Sequence, residues 1–194
     1  AVEACEMAGA STEILPVGVL TSGQRRLNEF AMLVLPGGFS YGDDLGAGRV
    51  WALALRHQLR EQVTDFVESG RPVLGICNGF QALIKAGLLP TEGIWAERRD
   101  ATLTQNESGR FECRWVTLTP NVGSPCVFTR GLKEAIFCPV AHGEGRIVAR
   151  DEKALAAYEK NAQVALRYVN ASGAPAVYPE NPNGSANGIA ALCN

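Results

Sequence analysis

Residues Pro72-Val73-Leu74-Gly75-Ile76-Cys77-Asn78-Gly79 decide how this chain is read. An apolar run enters a GICNG sequence, which reads as a strand running into a sharp turn and then a helix, with cysteine at the apex. That is the pattern of a nucleophile elbow, where the central residue takes a strained backbone conformation and glycine neighbours let strand and helix close around it. The amide of Asn78 then opens the helix and points at an oxyanion forming beside the sulfur. A helix N-terminus also lowers a thiol pKa, so Cys77 is expected to be activated. The plainer alternative is a buried structural cysteine in a parallel strand, because free cysteine is among the most buried residue types.

A second segment has the same form. Leu33-Val34-Leu35 is a short apolar run that ends in Pro36-Gly37-Gly38-Phe39-Ser40-Tyr41-Gly42-Asp43-Asp44. A glycine pair at a strand end brings bare backbone amides close to a bound carbonyl, so Gly37 and Gly38 are the candidates for the other half of an oxyanion hole. In an open parallel sheet both strand ends lie at the carboxyl edge, where ligands bind. An ordinary turn with Asp44 as a helix N-cap is the alternative. Ser40, Tyr41, Asp43 and Asp44 either shape a pocket or cap the next helix.

Outward from these two strands, the elements alternate. A helix ends at Gly9, and Thr12–Leu15 reads as a short strand. Helices follow Leu33–Leu35 as far as Ser69, with Gly70 as the stop. Strand Val73–Ile76 feeds a helix over Phe80–Ala86. This repetition predicts an α/β fold with a doubly wound, mostly parallel sheet. In the second half, Phe111–Leu118, Ala135–Val140, Arg146–Ala149 and Val164–Val169 read as strands joined by turns, an antiparallel extension. Asp151–Asn161 reads as a helix, and Ala171–Gly188, rich in Gly, Pro, Asn and Ser, as loop. No boundary interrupts the chain, so residues 1–194 are read as one domain.

Composition excludes several classes. The chain has 194 residues, 46% hydrophobic and 20% charged, which is ordinary globular usage with enough length for one full core. A net charge of −2 without a basic run argues against nucleic acid as a partner. No apolar stretch approaches the ~18–20 residues of a membrane span and no signal peptide is visible, so a cytoplasmic protein is expected. The six cysteines, Cys5, Cys77, Cys113, Cys126, Cys138 and Cys193, are scattered without a CxxC pair. They read as reduced, with Cys113, Cys126 and Cys138 as small core residues, and the long gaps among them and His142 argue against a metal site. Of the two histidines, His57 falls outside the apolar stripe Leu55, Leu59, Val63, Phe66, Val67 and reads as a solvated helix residue. His142 and Glu144, two residues apart, would share a face if on a strand, which nominates them as general base and orienting acid.

The segments PGGFSYGDD, PVLGICNGFQALIKAGLLP, SGRFECRW, PVAHGEGR and NPNGSANGIAAL, in that order, closely resemble the glutaminase component of phosphoribosylformylglycinamidine synthase, a class I, triad-type glutamine amidotransferase family of flavodoxin-like fold. The resemblance runs from about Leu33 to Asn194, and it does not decide between a separate subunit and a domain of a longer polypeptide. It implies that Cys77 attacks the side-chain amide of glutamine, that Gly37, Gly38 and Asn78 hold the oxyanion, and that Gln81 and Phe39 contact substrate. Arg110, Glu112 and Asn183 are further candidates for substrate or partner contact, with solvated surface as the alternative. By the same resemblance AHGEG lies near the active site, and the triad histidine and glutamate come from a PHPE motif that would follow Asn194. The chain therefore reads as lacking an N-terminal strand and the PHPE segment, with little or no glutaminase activity expected from it alone. The implied partners are glutamine, a synthetase subunit or domain that uses ATP and Mg, and a small accessory subunit. No cofactor is implied for this chain itself. Two other classes stay open: a cysteine hydrolase or stress protein of the wider superfamily, which would be expected to carry histidine at Asn78 or Phe80, and a non-catalytic module that binds glutamine or a partner.

Overall fold

A computed structural model describes residues 1–43, 45–90 and 93–194. Its contacts divide into two compact units, Ala1–Ala82 and Leu83–Asn194. The division falls within a helix, Asn78–Ala86.

In the first unit, strands β1 (Leu33–Leu35) and β2 (Val73–Gly75) pair in parallel, with Leu33 opposite Val73 and Leu35 opposite Gly75. Both are short apolar runs, and the pairing continues past each end. Leu33 N–H donates to Pro72 O at 3.1 Å, and Ile76 N–H to Leu35 O at 2.9 Å. Helices α1 (Val2–Met7) and α2 (Val17–Thr21) precede β1. Between the strands run α3 (Arg49–Leu53), a π-type turn over Ala54–Gln58 and α4 (Arg60–Glu68). The stripe Leu55, Leu59, Val63 and Phe66 is fully buried, as its helical spacing predicts, and His57 is exposed. Gly70, with φ +76°, ends α4 in the left-handed conformation that favours glycine.

The second unit is mostly antiparallel. Strands β3 (Ala101–Thr104) and β6 (Arg146–Ala149) form a pair. Strands β4 (Glu112–Pro120), β5 (Ile136–His142), β7 (Val164–Val169) and β8 (Ile189–Leu192) form a sheet ordered β5-β4-β7-β8. Val116, Leu118 and Tyr168 make its core, with Ile136, Val140 and Leu166 packed against them. Helix α6 (Glu152–Lys160) is capped by Asp151, whose Oδ1 accepts from Ala154 N–H at 2.8 Å. Its Tyr158 is buried and donates to Asp100 O at 2.6 Å.

The architecture is α/β. Among the described residues, however, parallel pairing is confined to β1 and β2. Four local readings are corrected. Thr12–Leu15 is not a strand: it has no neighbouring strand to pair with, and Ile14 is 78% exposed. Strands β3 (Ala101–Thr104) and β8 (Ile189–Leu192) were not foreseen, since each is defined by pairing with a strand elsewhere in the chain. Cys113 is exposed rather than core, because residues alternate along β4 and its even-numbered neighbours Glu112, Val116 and Leu118 take the buried face. Finally, β5 ends at His142 and residues 143–145 turn toward β6, so His142 and Glu144 do not share a strand face.

The described residues contain no group of three or more His, Cys, Asp or Glu side chains placed to hold a metal ion, and no helix long and apolar enough to cross a membrane. Asp44, a possible cap, lies outside the described residues.

Candidate active site

Strand β2 ends at Gly75 and helix α5 (Asn78–Ala86) starts three residues later, leaving Cys77 at the apex with φ +51°. A non-glycine residue in that left-handed conformation is strained, and such strain collects at functional positions. What forces the turn is the approach of α5 to β1. A Cβ added at Gly79 would lie 1.9 Å from Leu35 O, the same carbonyl that accepts from Ile76 N–H. Only glycine fits there, and this is the close packing that GICNG implied.

Gly37 lies on the other side of the cysteine. A Cβ at Gly37 would meet Cys77 Cβ at 3.1 Å and Cys77 Sγ at 3.7 Å. Bare backbone of the PGG turn therefore flanks the sulfur. Gly38 follows with φ +128°, and left-handed residues recur at Phe39, Tyr41, Asp43 and Leu45. A turn with so many strained residues needs an anchor, and Asn78 supplies one.

The Asn78 side chain is 1% exposed. Its Oδ1 accepts from Ser40 N–H at 3.0 Å and from the Ser40 hydroxyl, and its Nδ2 donates to Asp43 Oδ1 at 3.3 Å and to Gln81 Oε1 at 3.0 Å. One amide thus ties the PGGFSYGD turn to the first turn of α5. Sequence reasoning assigned Asn78 only its backbone N–H. The available signal was an amide at the helix start with Gln81 three residues on, a spacing that brings two side chains together. The same contacts give Ser40 and Asp43 a structural place on Asn78. Gln81 is 5% exposed, so it is not a helix-surface glutamine. Gly48 adds a further close approach, since a Cβ there would lie 2.8 Å from Ala82 N.

Cys77 is reachable from solvent, yet its thiol is crowded. Burial pushes its pKa above the ordinary thiol value, the Asn78 backbone N–H pulls it down by hydrogen bonding to the sulfur, and the Asp43 carboxylate pushes it up. The net direction is upward, which corrects the expectation of a thiol activated by the helix terminus alone. Without a base, Cys77 is a thiol at neutral pH. Phe39 is about half exposed, and its side chain is reachable from solvent beside this turn.

In the second unit, His142 and Glu144 have separate partners. Asn106 Oδ1 lies 3.1 Å from His142 Nδ1, while Glu144 Oε2 pairs with Lys85 Nζ at 3.2 Å. Asn106 also donates through Nδ2 to Arg110 O and His142 O, both at 2.8 Å, and its Oδ1 accepts from Gly145 N–H at 3.1 Å. Asn106 therefore orients the imidazole, a role the sequence did not signal. His142 Nε2 is buried with no hydrogen-bond partner among the described residues, and burial lowers the His142 pKa. Glu112 and Asn183 are buried rather than solvated. Glu112 accepts from the Ser108 hydroxyl at 2.7 Å and pairs with Arg114, and Asn183 Oδ1 accepts from Ser185 N–H at 3.0 Å. Arg110 is exposed.

A model of the CobB/CobQ-like glutamine amidotransferase domain matches residues 1–194. The phosphoribosylformylglycinamidine synthase subunit PurQ of Treponema denticola is 42% identical over 208 residues, covering 100% of this chain and 77% of the relative. PurQ of Dehalococcoides mccartyi is 44% identical over 192 residues, covering 98% of this chain and 72% of that protein. Among solved structures, PurLQS from Thermotoga maritima matches with a TM-score of 0.64 and 36% identity, over 88% of this chain and 66% of that one. With a strained cysteine at a strand–helix elbow and these matches along its length, the chain belongs to the glutamine amidotransferase family that contains the PurQ subunits of phosphoribosylformylglycinamidine synthase.

Proposed function

We propose that this chain is the glutaminase component of a phosphoribosylformylglycinamidine synthase. It would hydrolyse glutamine to glutamate and ammonia, and pass the ammonia to a synthetase that uses ATP and Mg in purine biosynthesis. The observation that carries the proposal is Cys77 at φ +51° between the bare backbone of Gly37 and the N–H of Asn78. The family match over residues 1–194 supports reading the chain as one amidotransferase domain. The parallel β1–β2 pair supports the finer reading of a doubly wound, flavodoxin-like sheet.

In this mechanism the Cys77 thiolate attacks the amide carbon of glutamine. Backbone N–H groups of Asn78 and of the Gly37-Gly38 turn hold the oxyanion, each typically contributing about 3–4 kcal/mol to the transition state. The C–N bond breaks, ammonia leaves with a proton, and water cleaves the glutamyl thioester to glutamate. Gln81 and Phe39 would contact the substrate, Gln81 through the amide network it shares with Asn78. Because burial and Asp43 keep the thiol protonated, a general base is required. In the family that base is the histidine of a PHPE motif, which has no counterpart among residues 1–194. Glu144 is paired with Lys85, which leaves His142 oriented by an amide rather than by that carboxylate.

The test is reconstitution with an ATP-dependent synthetase partner, with a PHPE segment supplied after Asn194. Amidine formation should depend on glutamine, and Cys77→Ala should abolish it while ammonia still supports the reaction. Equal loss with glutamine and with ammonia would contradict the assignment.

A further inference from the structure

The second unit contains a cavity of about 390 Å³. Glu107, in the connection between β3 and β4, lies on one side of it. Ala176, Val177, Tyr178, Asn181 and Pro182, between β7 and β8, line the other. Asn181 is only 8% exposed, and its Nδ2 donates to Ser185 O at 3.1 Å. Its Oδ1 is buried without a hydrogen-bond partner among the described residues. A buried acceptor is costly unless something donates to it, and here it belongs to a residue that lines a cavity. We propose that this cavity binds a primary alkylammonium group, with its N–H donors on Asn181 Oδ1 and the Glu107 carboxylate and its stem on the apolar wall.

The two sides are fastened to each other, so the site is formed in advance. Glu107 N–H donates to Asn183 O at 3.0 Å, and Asn183 Nδ2 donates to the Tyr168 hydroxyl at 3.2 Å. Asn183 Oδ1 accepts from Ser185 N–H at 3.0 Å and from the Ser185 hydroxyl at 2.6 Å. Gly184, with φ +73°, leaves room for the acidic side chain: a Cβ there would lie 2.4 Å from Glu107 Oε2. Only a residue without a side chain lets the carboxylate lie across this turn. Arg146 approaches Glu107 Oε1 at 3.5 Å, longer than a hydrogen bond, and the Glu107 side chain remains 68% exposed. With two oxygens and several lone pairs, the carboxylate keeps capacity for a second cation.

The lining selects the ligand. Among the described lining residues Glu107 is charged and none is a cation. Ser108, which also lines the cavity, gives its hydroxyl proton to Glu112 Oε1 at 2.7 Å and so offers only its oxygen. Arg114 approaches Tyr178, donating to its hydroxyl at 3.2 Å, but is paired with Glu112. An anion would therefore meet a carboxylate and an unpaired amide oxygen. Metal ions fit no better, since no group of three or more His, Cys, Asp or Glu side chains among the described residues could hold one. A primary ammonium has three donors and no acceptor, which matches a wall of acceptors. Its hydrocarbon stem can cover Val177, which is 75% exposed, along with Ala176 and Pro182.

The test is titration of the isotope-labelled native chain with n-butylammonium at about pH 7, where a primary amine is protonated, followed by backbone amide NMR shifts. Saturable shifts are expected at Val177, Asn181 and Gly184, with a dissociation constant of about 1–10 mM for so small a ligand. Neutral n-butanol, which has the same stem without the charge, should bind about fivefold more weakly or worse. Glu107→Gln alters an exposed side chain and should weaken n-butylammonium by about the same factor. Nα-acetyl-lysine methylamide separates the two sources of such a group. Binding comparable to n-butylammonium assigns the cavity to a lysine side chain of a partner protein, and exclusion assigns it to a free amine. Absence of saturable shifts at these amides, equal binding of n-butanol, or undiminished binding by Glu107→Gln would each overturn the proposal, and the first two require no variant.

Discussion

Asn78 Nδ2 donates to Gln81 Oε1 at 3.0 Å, while Asn78 Oδ1 holds the Ser40 N–H of the preceding strand's turn at the same distance. The residue that follows the proposed nucleophile is therefore both the proposed oxyanion donor through its backbone and, through its side chain, the clamp that ties the PGGFSYGD turn to helix α5. Geometry at Cys77 depends on a side chain that does not touch the reacting atoms.

Asn78→Ala keeps the backbone N–H but removes the clamp. Losing the partner of a buried polar group costs about 1–3 kcal/mol, so a lower denaturation midpoint is expected. The glutamine-dependent rate should fall about 10-fold to 100-fold, with the ammonia-dependent rate of the reconstituted synthetase unchanged. A rate within twofold of the unaltered protein would show that the clamp does not position the site.

Gly79 and Gly37 should respond differently to an added methyl group. Gly79→Ala places a carbon on the Leu35 carbonyl, where backbone must shift, and is expected to cost about 3 kcal/mol or more by urea unfolding. Gly37→Ala adds a carbon 3.1 Å from Cys77 Cβ, a contact a small displacement relieves, so it should fold and instead slow acylation of Cys77. Equal stability of the Gly79→Ala and unaltered proteins would contradict the packing described.

Cys77 should titrate above the ordinary thiol value of about 8.5 when alkylation by iodoacetamide is followed against pH. Asp43→Asn removes a nearby negative charge that disfavours the thiolate, so its midpoint should move downward. An unaltered midpoint below that of a free thiol would mean that the helix terminus outweighs burial.

Burial lowers the His142 pKa, with the Glu112 charge opposing. Above about pH 6.5 the folded and unfolded chains both carry neutral imidazole and nothing is lost. As pH falls below that value the unfolded chain takes the proton first, so stability declines until the folded pKa is passed. The urea midpoint of the unaltered protein should therefore drop more between about pH 7 and pH 5 than that of His142→Gln, which keeps a polar group toward Asn106. Parallel pH profiles would contradict this.

Much of this was legible in the sequence where two periodicities or a close approach dictate the residue. GICNG located the elbow because a cysteine apex and a glycine with no room for a Cβ leave few alternatives. Val164–Val169, Arg146–Ala149 and Leu33–Leu35 appear with the bounds their apolar runs predict. Strands β3 and β8 were hidden because their identity depends on partners far along the chain. The same applies to side-chain networks: nothing local to Asn106 announces that it will orient His142, and nothing local to Lys85 announces Glu144. The direction of the Cys77 pKa was misjudged because the helix terminus is visible in sequence while crowding and the approach of Asp43 are not.

The most direct measurement is covalent labelling with a diazoketone analogue of glutamine, mapped by peptide mass spectrometry with and without excess glutamine. The account predicts an adduct on Cys77 alone, suppressed by glutamine and absent in Cys77→Ala. An adduct shared with exposed Cys113, or one on Cys77 that glutamine does not suppress, would contradict a glutamine site built around this elbow.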